Sequence, residues 1–136
     1  MISAQIFWQS KRLVGFDIKG HADYAPHGED IVCAAVSVLA ITAVNSLLEQ
    51  VGPVMIKQSD DGLVSCRLPD ESLTNEKEIK AQAILKTLLD NFIISRQSCF
   101  LANHCHHVFR HDVFFIAKLG DDVGEIRMQR NSDVRR

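Results

Sequence analysis

No excess of charge marks this chain. Its 136 residues carry 15 Lys and Arg against 17 Asp and Glu, a formal net charge of −2, with an isoelectric point near 6.3. That balance excludes a bulk electrostatic pull toward nucleic acid; contact with a ribonucleoprotein would have to be local. Cysteine pairing is missing as well. Cys33, Cys66, Cys99 and Cys105 show no CxxC spacing and no framework density, which argues against a disulfide scaffold. No charged-then-apolar segment opens the sequence, so reduced thiols in a cytoplasmic protein are the expectation. Aromatic residues are scarce at 7%, with a single tyrosine, Tyr24. The length suits one domain with one core, burying roughly two-thirds of the unfolded surface.

What is present divides into short periodic segments. Ile2 to Trp8 and Leu13 to Lys19 read as strands around a polar Gln9-Ser10-Lys11-Arg12 turn. In the second, Val14, Phe16 and Ile18 share one face, with Gly15, Asp17 and Lys19 on the other. An uncharged run from Ile31 to Leu48 is long enough for a membrane span, but Ser37, Thr42, Asn45 and Ser46 interrupt it. A central helix from Asp30 to about Val51, buried on most of its surface and in part by a second subunit, is the better expectation, with Gly52-Pro53 as its stop. Val54 to Gln58 and Leu63 to Leu68 flank Ser59-Asp60-Asp61-Gly62, whose Asp-Gly marks a hairpin. A second helix spans about Glu76 to Phe92, with Asn75 as cap and Ile79, Ala83, Ile84, Leu88 and Phe92 as its apolar stripe. The order β-β-α-β-β-α, closed by a further strand, predicts an α+β layer: two helices on a mainly antiparallel sheet.

Chemistry concentrates between Gly20 and Leu39. Gly20-His21-Ala22-Asp23-Tyr24 sets an imidazole at the end of a strand, and Gly28-Glu29-Asp30-Ile31-Val32-Cys33-Ala34-Ala35 sets a lone cysteine at a helix start. A free thiol titrates near about 8.5, and a histidine or a helix N-terminus lowers that value. With Asp30 as N-cap, Cys33 falls at the third helical position, within the first turn. Gly20 and Gly28 give the intervening loop the freedom to bring His21 back to Cys33. Each residue also has a plainer role: Cys33 as a small core residue, His21 as a loop residue, Asp30 as a cap alone, Tyr24 as cover for the core, Cys66 as strand packing.

Together these residues resemble the ribosomal-processing cysteine proteases, the Prp family, whose hallmark is a Gly-His pair followed by an Asp-Ile-Val-Cys-Ala helix start. The resemblance covers roughly residues 1–92 and shares the β-β-α-β-β-α order. It implies a cysteine endopeptidase with Cys33 as nucleophile, His21 as general base and Asp30 as an orienting or capping residue. It further implies a homodimer, no metal, no organic cofactor, no membrane and no direct nucleic-acid contact. The implied substrate is large-subunit ribosomal protein number twenty-seven carrying an N-terminal extension, cut during ribosome biogenesis. N–H groups of the first helical turn would form the oxyanion hole, and the loop from Asp23 to Glu29 would act as a substrate-ordered flap. A non-catalytic ribosome-associated binding or assembly protein on the same fold is the alternative, and fast alkylation of Cys33 near neutral pH would argue against it.

The last third departs from that pattern. Val113 to Leu119 reads as a closing strand displaced by an insertion, so a single protease domain is expected over 1–119. Residues 120–136, with Asp121, Asp122, Arg127, Arg130, Arg135 and Arg136, read as a charged flexible tail. Cys99, His104, Cys105, His106, His107 and His111 supply zinc-type donors, but their spacing matches no standard zinc pattern, and a chance polar cluster is the expectation.

Overall fold

A computed structural model describes residues 2–23, 25–26, 28–60, 62–70, 72–94, 113–119 and 123–130. The elements run β1 (Ile2–Gln9), β2 (Arg12–Lys19), α1 (Ile31–Gln50), β3 (Met55–Ser59), β4 (Leu63–Arg67), α2 (Asn75–Ile94), β5 (Val113–Leu119) and β6 (Val123–Arg130). All six strands join one sheet in the order β3-β4-β2-β1-β6-β5, and every pairing is antiparallel. The α+β expectation holds.

Ser10 and Lys11 both take positive φ, 51° and 68°, which closes β1 onto β2 in a two-residue turn of the twist that hairpins favour. Ile2, Ala4 and Ile6 of β1 and Phe16 and Ile18 of β2 face the core, each at most 4% exposed. A bulge near the turn, where Phe7 pairs Gly15 but Trp8 pairs Leu13, shifts the alternation by one. Leu13 rather than Val14 therefore enters the core.

The core face of α1 is Val32, Val36, Ala40, Ala43, Val44 and Leu47. Within the single chain only a third of its apolar stretch is buried. Ile31, Val38, Ile41 and Leu48 stand 42–63% exposed along the other side. For α2, Thr74 rather than Asn75 is the cap: its Oγ1 accepts from Lys77 N–H at 3.5 Å and its carbonyl from Glu78 N–H at 2.9 Å. The buried stripe is Ala81, Leu85, Leu88 and Leu89, whereas Ile79 is 62% exposed. Two clamps set this rotation. Arg12 donates to both carboxylate oxygens of Glu78 at 2.6 and 2.8 Å, and Gln82 exchanges two hydrogen bonds with the Leu13 backbone at 2.9 and 2.8 Å.

Residues 123–130 are a strand, not the tail that the charge pattern suggested. β6 pairs with β1 from Ile2 opposite Met128 to Phe7 opposite Val123. The histidine and cysteine cluster at 99–111 and Tyr24 lie outside the described residues.

Candidate active site

The site is built where β2 ends and α1 begins. Gly20 and Gly28 take left-handed φ of 91° and 90°, as the loop requires. Asp23 does the same at 54°, a conformation that aspartate tolerates better than most side chains. These bends fold the segment after β2 onto the first turn of α1, and the Ala22 N–H donates to Cys33 Sγ at 3.2 Å.

Asp30 is the N-cap of α1. Its Oδ1 accepts from Val32 N–H at 3.0 Å and Cys33 N–H at 2.9 Å, while its carbonyl accepts from Ala34 N–H at 3.0 Å. The N–H groups of Val32, Cys33 and Ala34 in the first turn are thus engaged by Asp30. The donor aimed at the sulfur comes instead from Ala22, a backbone group that no side-chain motif reveals.

The thiol of Cys33 sits half-buried and titrates above its ordinary value. Burial is the largest cause; the Ala22 N–H opposes it, and Asp30, by hydrogen bond and charge, and Asp23, by charge, reinforce it. The sequence had suggested a shift toward thiolate from the helix start; burial, with Asp30 and Asp23 adding to it, acts in the opposite direction. His21 is exposed, and among the described residues no hydrogen bond links its imidazole to Cys33. It packs on the β3–β4 turn, where a Cβ placed on Gly62 would lie 3.2 Å from His21 Cε1. Cys66 is fully buried in β4, and burial pushes its thiol up to about 11, so it is chemically quiet at neutral pH. The groove between the β1–β2 turn and α2, lined by Trp8, Leu13 and Gln82 among others, includes neither Cys33 nor His21 in its lining. Among the described residues no cluster of three His, Cys, Asp or Glu could hold a metal.

This arrangement suits acyl transfer: one accessible thiol, one imidazole on the adjoining loop and one backbone N–H directed at the sulfur. Known proteins agree. The family model of the cysteine protease Prp matches residues 1–95. The ribosomal processing cysteine protease Prp of Bacillus subtilis is 35% identical over 81 residues, covering 58% of this chain and 71% of its own. The S. aureus ribosomal processing protease Prp, solved with a covalently linked product peptide, superposes with a TM-score of 0.54. It is 28% identical, over 65% of this chain and 82% of that one. A Streptococcus mutans protein of solved structure gives 0.55 at 27% identity, over 79% of this chain and 88% of its own. With its fold, its thiol and the family match over residues 1–95 in agreement, the chain belongs to the cysteine protease Prp family and is a cysteine-type peptidase.

Proposed function

We propose that the protein is a cytoplasmic, homodimeric endopeptidase that removes the N-terminal extension of large-subunit ribosomal protein number twenty-seven, with Cys33 as nucleophile and His21 as general base. The observation that carries this reading is the Ala22 N–H bond to Cys33 Sγ, which ties the histidine-bearing loop to the thiol. The names of the B. subtilis and S. aureus relatives, both ribosomal processing proteases, supply the substrate class.

The chemistry runs as general-base catalysis within the substrate complex, a route in keeping with a Cys33 thiol whose burial raises its pKa above the ordinary value. His21 takes the thiol proton as Sγ bonds to the scissile carbonyl carbon. The carbonyl electrons move to oxygen, to which the Ala22 N–H, given up by Sγ as the C–S bond forms, donates. Collapse breaks the C–N bond, His21 delivers its proton to the departing amine, and the acyl group stays on sulfur as a thioester. Water, deprotonated by His21, then releases the acid and restores the thiol. The loop from Asp23 to Glu29 serves as a substrate-ordered flap over the peptide. Ile31, Val38, Ile41 and Leu48 on α1 offer the dimer face.

The test is cleavage of the extended ribosomal protein by wild type, Cys33→Ala and His21→Ala, with product masses recorded. A single defined cut by wild type alone is expected. Intact substrate after incubation with folded wild type would overturn this substrate assignment and leave a binding role on the ribosome.

A further inference from the structure

The β3–β4 hairpin is remote in sequence from both reactive residues, yet its turn lies against one of them. Gly62 closes that turn, its N–H donating to Ser59 O at 3.2 Å, with φ at +78°. A left-handed turn position alone would favour glycine, but asparagine and aspartate are also admitted there. The surroundings are more restrictive. A Cβ on residue 62 would stand 3.2 Å from His21 Cε1, 3.3 Å from His21 Nε2 and 3.3 Å from Gly20 O. Those separations are tighter than ordinary van der Waals contact; the Gly20 carbonyl is backbone and gives little, so the ring, at the end of a rotatable side chain, gives more readily.

We propose that the β3–β4 turn is a positioning element of the active site, in which the bare Cα of Gly62 forms the floor on which the His21 imidazole rests. The proposal builds on the assignment of His21 as general base. His21 is exposed and its loop has bends on either side of it. Packing against Gly62 gives the ring one solid surface, and any side chain at 62 pushes it by a few tenths of an ångström. Misplacement of a reacting group by about 1 Å can cost about a hundredfold in rate, so a smaller push predicts a loss near tenfold. Gly62 touches no substrate atom in this scheme; it acts through His21.

Gly62→Asn and Gly62→Ala separate this role from turn strain. Both add the same Cβ, but asparagine accepts positive φ more readily, so Asn is the more stable variant. Both are expected to lower kcat about tenfold with KM for the extended ribosomal protein little changed, and to shift the His21 Cε1–H resonance. In a His21→Ala background the Gly62 substitution should have no further effect on residual cleavage. A Gly62→Asn protein with wild-type kcat, alongside an inactive His21→Ala, overturns the positioning role and leaves the catalytic assignment standing. A fully active His21→Ala overturns the assignment itself. Should the variants not fold, an NOE between Gly62 Hα and His21 Hε1 in the unaltered protein decides the contact, and its absence sinks the proposal.

Discussion

Asp30 serves two ends that oppose one another. Its carboxylate satisfies two amides at the start of α1, and its hydrogen bond and charge add to the burial that raises the Cys33 thiol. The two effects can be parted. Asp30→Asn retains a good cap and removes the charge, so stability should change by only a few tenths of a kcal/mol. The pH midpoint for alkylation of Cys33 should fall, and the rate near pH 7 should rise, because losing a nearby negative charge favours thiolate. Asp30→Ala removes both and should cost about 1 kcal/mol of stability, read by urea unfolding. An unchanged alkylation profile in Asp30→Asn would show that burial alone sets the thiol. The cap was legible in the sequence because capping is local, decided within four residues. The Ala22 amide and the Gly62 floor were not, since one is a backbone group and the other is brought to His21 only by the folded sheet.

Among the elements, the joint between β2 and α2 bears most on geometry, since β2 delivers His21. Gln82 fills both backbone positions of Leu13 at once, which pairs the start of β2 with the helix as another strand would. Gln82→Ala leaves a part-buried N–H and C=O without those partners, and about 1–3 kcal/mol should be lost in urea unfolding. The same joint explains where the helix pattern misled. Of the expected stripe Leu88 is buried and Ile84 packs partly buried on the core, but Ile79 and Ala83 face outward, and Ala81, Leu85 and Leu89 point inward where Arg12 and Leu13 grip Glu78 and Gln82. Side-chain clamps between elements leave no periodic trace. The strand β6 was missed for a related reason: Ile126 and Met128 are its only alternating apolar pair, and its regularity comes from pairing with β1.

For the molecule as a whole, the exposed side of α1 is the feature that folding of one chain does not account for. Ile31, Val38, Ile41 and Leu48 recur at helical spacing with no charge among them, and such a stripe is more apolar than solvent-facing helices usually are. If it joins two copies, Val38→Glu, placed on the residue that is 63% exposed, should convert a dimer to a monomer in sedimentation at micromolar concentration. The monomer should retain its thermal transition, since Val38 is outside the core. A wild-type monomer at those concentrations would remove the homodimer from the proposed function.

The pairing of β1 with β6 also sets a timetable for synthesis. Of these elements β1 leaves the ribosome first and β6 last, so the hydrogen-bonding edge that β6 will occupy stands open while the other strands assemble. An exposed edge of that kind recruits other chains. A nascent chain arrested between α2 and β5 should therefore bind chaperones or self-associate more readily than the finished protein, because the last strand made is the one that seals the first.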